Sequence, residues 1–440
     1  MFVERAKTLR EIHYVTDPSP LKGEFLEKFY VPTDAARDTS YPPTSVLRDR
    51  LYEATSHLRL LFASHPGAGK STELNRLINE TQNDFLFIYF SIRQELDIAT
   101  LTHVDLILAL MEQLYRQGME KKLIKNKDII EPVRSWFSEI IKESKISREE
   151  TVTMETGVGL NGMLAQIIGL MASVRALFSL SHEAAENIRQ VLKPRITDLR
   201  NYCNQVIAEI ATNLEQEMPR RRLVVIVDDT DKLDIDVARS LFVNHTGLLA
   251  DLQVSIIYTV PLFLIHSPDR PRLESYFDTL TLPMIKTYKI DNQRFDDGWH
   301  ILQQVIENRI NLNLISPAAL ELVINKTGGV LRDLLRVIRT ASEIARYVQT
   351  EQITEESMRN SLDRLKGIYR NSIYGRGSVT TEHLYKKMQE IVIAPNGQTP
   401  LDLALQQLLY TQVVIEYNGR SWYSLHPLVH EALQEMGMLT

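Results

Sequence analysis

The chain has a single cysteine, Cys203, in 440 residues, which excludes an intrachain disulfide framework and any cysteine-rich zinc cluster. A reducing compartment suits that composition. Positive charge is not in excess either. Against 56 Asp and Glu stand 50 Lys and Arg, a formal net charge of -6, so no whole-molecule field draws the chain to nucleic acid or to an anionic membrane. Any such attraction has to come from a local patch. Met1-Phe2-Val3-Glu4-Arg5 carries charge where an export signal has an apolar core, and a cytoplasmic protein is expected.

What is present describes an ordinary globular chain, 44% hydrophobic and 24% charged, long enough for two or three domains. Residues 1 to 50 are rich in proline and polar side chains and hold one compact apolar cluster, Phe29-Tyr30-Val31-Pro32; they read as a docked arm. Leu58-Arg59-Leu60-Leu61-Phe62-Ala63 is a nearly continuous apolar run followed by a glycine-containing loop and a helical pattern from Ser71. Further runs at 84–90, 223–227 and 254–258, alternating with helical patterns, predict an α/β domain with a mainly parallel sheet over about 51–290. More than a hundred residues separate the second and third runs, so a large helical insertion is expected over about 100–220. Its last helix should run from Glu183 to Glu217 with a kink at Pro194. Helical periodicity from 291 to 365 predicts an all-helical lid. From 366 to 440, two helices precede two β-rich segments that flank Asn418-Gly419, a favoured hairpin pair; this predicts a C-terminal winged helix.

One segment carries chemistry. Pro66-Gly67-Ala68-Gly69-Lys70-Ser71-Thr72 follows a strand and opens a helix. Its glycines let backbone N–H groups wrap phosphate oxygens, Lys70 supplies a cation, and the Ser71 hydroxyl suits Mg²⁺. The third apolar run ends in Asp228-Asp229, of which Asp228 would hold Mg²⁺ and Asp229 would orient a water for attack. Together they predict ATP binding with Mg²⁺ and hydrolysis, with Lys70 at a solvent-accessible phosphate site. Ser64 replaces the first glycine of the usual GxxxxGK[ST] pattern.

The longest uncharged stretch, Thr156 to Val174, approaches the roughly 20 residues of a membrane helix. Gly157, Gly159, Gly162 and Gly169, with Asn161 and Gln166, make a poor span. A single crossing would also put Lys70 and Asp228 on opposite sides of the membrane, and the stretch is too short to cross twice. No transmembrane span is expected.

This order of site, helical lid and winged helix resembles the P-loop ATPases of the AAA+ and STAND groups, the latter including the NB-ARC and NACHT proteins. Gly329-Val330-Leu331-Arg332 looks like the GxxR pattern by which an AAA+ lid places an arginine on the nucleotide, and Thr259 is similar in position to the polar residue ending the fourth strand. Where ring-forming relatives carry Ser-Arg-Phe, this chain has Ser275-Tyr276-Phe277, which argues against a conventional arginine finger from a neighbour, with Arg270 or Arg272 as the available substitutes. Asp229 stands where motor ATPases usually have glutamate, so the resemblance implies slow hydrolysis. Tyr423-Ser424-Leu425-His426 is similar to the NB-ARC Met-His-Asp motif, whose histidine contacts bound ADP; carried over, that residue is His426, with Pro427 where Asp is expected. The resemblance implies an ATP-dependent switch, in signalling or defence, with a protein partner or self-association through the inserted helices. Two other likenesses stand beside it. Origin-recognition ATPases share the lid and winged helix and bind DNA, although Leu401 to Tyr410 here has no Lys or Arg to position phosphates. Membrane-associated KAP-type NTPases resemble it through the apolar stretch between the two phosphate motifs.

Overall fold

The computed structural model describes residues 4–37, 40–143, 160–180, 182–394, 398–418 and 422–439. Gly419 of the expected hairpin turn, and Gly157 and Gly159 of the uncharged stretch, lie outside the described residues.

Five strands form one parallel sheet: β1 (Arg59–Ser64), β2 (Phe85–Ser91), β3 (Arg222–Asp228), β4 (Ser255–Pro261) and β5 (Asp278–Leu282). Their spatial order is β2-β3-β4-β1-β5. Helices cover both faces, which is why Leu60, Leu61, Phe62 and Ala63 in β1, and Val224 to Val227 in β3, are all fully buried and read as unbroken apolar runs. Because every strand runs the same way, all carboxyl ends meet at one rim. There, β4 separates β1 from β3, and the loops leaving β1 and β3 diverge around a crevice.

Between β2 and β3 lie, among the described residues, five longer helices: His103–Glu120, Ile130–Glu143, Leu160–Leu180, His182–Leu192 and Ile196–Glu217. The first starts on a capping box between Thr102 and Asp105. The helix expected from Glu183 to Glu217 with a kink at Pro194 is interrupted there by a single 3-10 turn, Lys193–Arg195, between His182–Leu192 and Ile196–Glu217. Pro194 lacks the N–H and its ring crowds the preceding turn, which breaks the α-helical bonding at that point. Leu164, Ile167, Met171 and Val174 follow one face of the Leu160–Leu180 helix and are buried against its neighbours. Among the described residues no helix is long and apolar enough to cross a membrane.

After β5 come four helices, Asp296–Arg309, Pro317–Lys326, Leu331–Tyr347 and Glu355–Ser372. The C-terminal unit then contributes helices Thr381–Ile393 and Leu403–Tyr410, an antiparallel pair β6 (Val414–Tyr417) and β7 (Trp422–Leu425), and a last helix, Pro427–Glu435. This unit packs on the sheet domain. Its second helix is buried along most of its length, from Ala404 to Leu409, with Tyr410 edge-on to Phe263. As arranged here, that helix has no face to offer a nucleic-acid groove.

Candidate functional site

The loop from β1 to the helix Lys70–Thr81 turns on two glycines with left-handed backbone, Gly67 (φ 84°) and Gly69 (φ 103°). A side chain is excluded twice over. Backbone strain disfavours it, and a Cβ at Gly67 would lie 2.8 Å from Arg332 Cβ, with one at Gly69 3.3 Å from Leu331 Cδ1. The lid helix therefore sits directly on the phosphate loop, and the Arg332 amide donates to the Gly67 carbonyl at 3.4 Å. From below, fully buried Arg37 of the arm donates to the Ala68 carbonyl at 2.5 Å and to the Pro283 carbonyl.

Lys70 departs from expectation. Rather than facing solvent it is 5% exposed, and its ammonium donates to Asp231 Oδ2 at 2.7 Å and to Ser64 Oγ at 3.0 Å. The serine replacing the usual first glycine thus serves as a ligand for the lysine. Burial of both partners strengthens their attraction while removing their hydration, so an arriving phosphate has to compete with Asp231 for Lys70.

At the end of β3, carboxylate oxygens of Asp228, Asp229 and Asp231 lie within 4.8 Å of one another. Asp228 accepts from the Tyr89 hydroxyl at 2.6 Å and from the Asp229 amide at 2.7 Å. Asp229 has a left-handed backbone (φ 68°), unusual for a residue with a Cβ, and accepts from Ser91 and Lys232. Burial pushes its carboxyl up, but the bonds from Lys232 and Ser91 and the charges of Lys232 and Arg93 outweigh this and hold it below its ordinary value. Three hard oxygen donors beside a hydroxyl such as Ser71 fit the preferences of Mg²⁺.

A cavity of about 350 Å³ opens over the phosphate loop. Gly67, Gly69, Lys70, Ser71 and Thr72 form its floor, Asp231, Lys232 and Arg93 one side, and Leu331, Arg332, Leu335 and Arg336 of the lid another. The arm closes it with Phe29, Tyr30 and Val31, the apolar cluster noted in the sequence. That wall is anchored: the Leu21 amide donates to Thr72 Oγ1 at 3.2 Å, and the Tyr30 hydroxyl donates to buried Glu73 at 3.1 Å. Apolar at one end and cationic at the other, the cavity suits a planar base joined to phosphates.

Of the residues singled out from sequence, Gly67, Gly69, Lys70, Ser71, Thr72 and Arg332 line this cavity. Pro66, Ala68, Asp228, Asp229, Thr259 and His426 do not. Asp231, two residues beyond the expected pair, is the acid on the wall, and Thr259 lies behind it, its hydroxyl 3.5 Å from Asp231 Oδ1. The repeated acids of Asp228-Asp229-Thr230-Asp231 were the available signal. The role carried over to His426, contact with a bound diphosphate, does not match its position. It is fully buried, caps the last helix by accepting from the Leu428 amide at 3.2 Å, and stacks on Tyr369 at 4.1 Å. The Asp333 carboxylate of the lid helix lies 3.7 Å from its Nε2 and accepts from the Tyr369 hydroxyl.

The C-terminal unit does reach the phosphate loop through other residues. The Glu416 amide donates to His65 Nε2 at 2.9 Å and Gln412 Nε2 donates to the Pro66 carbonyl at 2.6 Å. The Tyr417 hydroxyl donates at 3.0 Å to the carbonyl of Gly328, ahead of the lid helix Leu331–Tyr347.

Comparison with known proteins agrees with the phosphate loop. Residues 65–257 match the model of the KAP family P-loop domain. No curated protein matches the chain. Among solved structures, it is similar to Cdc6p from Pyrobaculum aerophilum (12% identity, 97% of each chain covered, TM-score 0.38). It is also similar to the Aeropyrum pernix ORC1 protein solved in complex with DNA (13%, 97% of each chain, 0.39). A third likeness is to the RuvB Holliday junction branch migration motor of Thermotoga maritima (12%, 90% of this chain and 91% of that one, 0.34).

Proposed function

From a chain that carries a P-loop NTPase domain, we propose an ATP-dependent molecular switch of the STAND manner, slow in hydrolysis, in which lid and C-terminal winged helix read the nucleotide. The observation that carries this reading is the placement of Arg332 and Gln412 on the carbonyls of the phosphate loop itself. Ligand at that loop cannot change its shape without touching both units.

In this reading the Tyr30 and Phe29 wall holds the base, the amides of Gly67 to Thr72 hold the phosphates, and Lys70 leaves Asp231 for the terminal phosphates. Ser71, Asp228 and Asp231 are the residues that would hold Mg²⁺, which neutralises phosphate charge when bound. Asp229 orients the water. As its oxygen bonds to the γ-phosphorus, the bond to the β,γ-bridging oxygen breaks, its electron pair leaves with ADP, and the water's proton passes to the carboxylate or the released phosphate. An aspartate already held by Lys232 and Ser91 is a poor base, consistent with slow turnover. The inserted helices are the natural surface for a partner or a second copy. Reading of DNA by the second winged-helix segment is not favoured, since that helix is buried.

Asp229→Asn should bind ATP within about threefold of wild type and lose at least about a hundredfold in single-turnover hydrolysis. Unchanged turnover would move the water-orienting role to Asp231.

A further inference from the structure

We propose that Arg93 supplies, within the same chain, the guanidinium that contacts the terminal phosphate of a bound nucleoside triphosphate. The inference rests on the phosphate-site reading above and adds to it the group that completes turnover.

Strand pairing sets the position. β2 runs parallel to β3 with Ser91 opposite Asp228, so the residues just after Ser91 emerge at the rim beside the acids. Ser91 itself donates to Asp229. Two residues on, Arg93 lines the same cavity as Lys70, Asp231 and Lys232, and it comes from the short helix Ile92–Glu95 that leaves β2, whereas Arg332 and Arg336 come from the lid. A terminal phosphate at Lys70 would be held between cations from two elements.

The other basic groups of the sheet side are committed. Lys70 is held by Asp231, and Lys232 by Asp229. Arg93 is exposed, and among the described residues it forms no ion pair or hydrogen bond. Its charge is felt by the Asp229 carboxyl without a direct contact, so its planar donors, at a cavity that fits phosphate, are available for phosphate oxygens. Where a neighbouring subunit's arginine would be expected stands Tyr276; nearby Arg270 is tied to Glu274 at 2.8 Å and Arg272 is exposed, and none of the three lines the cavity. A guanidinium that meets only the third phosphate also distinguishes ATP from ADP, which a switch requires.

The test uses the full chain with ADP, the β,γ-imido analogue of ATP, and ATP under single-turnover conditions. Arg93→Ala should bind ADP within about twofold of wild type, weaken for the imido triphosphate by about tenfold, and slow hydrolysis by at least about a hundredfold. Arg93→Lys should recover much of the triphosphate affinity and little of the rate. Mixing Arg93→Ala with Asp229→Asn should restore no turnover, because each chain needs its own arginine. Wild-type triphosphate affinity and rate in Arg93→Ala would overturn the proposal, as would restored turnover on mixing. If wild type binds the triphosphate without hydrolysing it, the affinity comparison alone decides. A wild-type chain that binds no nucleotide, or a Lys70→Ala variant that binds it normally, would instead sink the phosphate site from which the proposal starts.

Discussion

The phosphate loop is gripped on two sides by regions built in opposite ways. The sheet side is local: Ser64, the two glycines, Lys70 and Ser71 lie within eight consecutive residues, and the acids that face them lie within four. The C-terminal side is remote. His65 meets Glu416 and Pro66 meets Gln412 across about 350 residues of chain. Ligand chemistry was placed in a short motif, and its coupling to the rest of the molecule in contacts between distant segments. The remote contacts exist only while the C-terminal unit is docked. Variants should therefore fall into two classes, those that lose ligand and those that lose coupling.

The largest effect is expected on the local side. Lys70→Ala should reduce ATP and ADP affinity at least about a hundredfold, measured by equilibrium dialysis, and should also lower thermal stability. The second effect follows from burial, because Asp231 is left as a carboxylate 4% exposed without its cation, a loss of about 3 kcal/mol or more. Adding Asp231→Asn should recover much of the stability and none of the affinity. Full stability in the single variant would mean that Lys70 is not held by Asp231 in solution.

Acidification should act on the remote side. Burial is the main cause that pushes His65 down to about 3, His266 to about 4 and His426 to about 3, from an ordinary 6.5. All three rings lie where the C-terminal unit meets the rest: on the Glu416 amide, on the Tyr423 hydroxyl at 3.0 Å, and beside Asp333. Lys70 and His266 add to the effect on His65, and Arg270 to that on His266. Between about 4 and 6.5 the folded chain binds fewer protons than the unfolded one, so the stability these rings contribute is complete above 6.5 and is lost as pH falls toward 4. Each can contribute up to about 1.4 kcal/mol per pH unit. Burial raises the carboxyls of Asp333 and Glu73, which offsets part of this loss. Hydrogen exchange should show the C-terminal unit opening before the sheet as pH falls from 7 to 4.5. Uniform loosening would remove the distinction between the two sides.

The same contrast explains what the sequence could reveal. Apolar runs gave four of the five strands to within three residues at each end, since strands buried on both faces leave an unbroken signature at Leu60 to Ala63 or Val224 to Val227. Glycine at 67 and 69 was legible because φ near 84° and 103° leaves little choice of residue. Pro194 was visible as a break, and the interruption at Lys193–Arg195 falls on it. Asp231 was overshadowed by the adjacent pair at 228 and 229; only the three-dimensional position of Lys70 selects it. The arm residues Phe29 and Tyr30 registered as an apolar cluster without indicating what they cover. His426 shows the converse error, in which a short motif resembling a known one lies at a helix start where its ring is used as a cap.

The smallest effect decides how the C-terminal unit is coupled, and it comes from comparing His426→Ala with Gln412→Ala. Removing His426 takes away a helix cap, worth about 1 kcal/mol, and leaves a cavity beside Tyr369 that adds to the loss. Since His426 meets Asp333 and Tyr369 and does not line the cavity, the loss should appear as a lower melting temperature with ADP release within about twofold of wild type. Gln412 is half-buried and contributes one side-chain bond, to the Pro66 carbonyl. Its removal should scarcely change melting, yet a single bond of about 1 kcal/mol shifts the ratio of docked to released C-terminal unit about fivefold. If docking and nucleotide are linked through the phosphate loop, ADP release should change by up to about that factor. Stopped-flow release of a fluorescent ADP, beside calorimetric melting, separates the two variants. Should His426→Ala speed release while Gln412→Ala leaves it unchanged, the coupling runs through the lid at Asp333 and not through the phosphate loop.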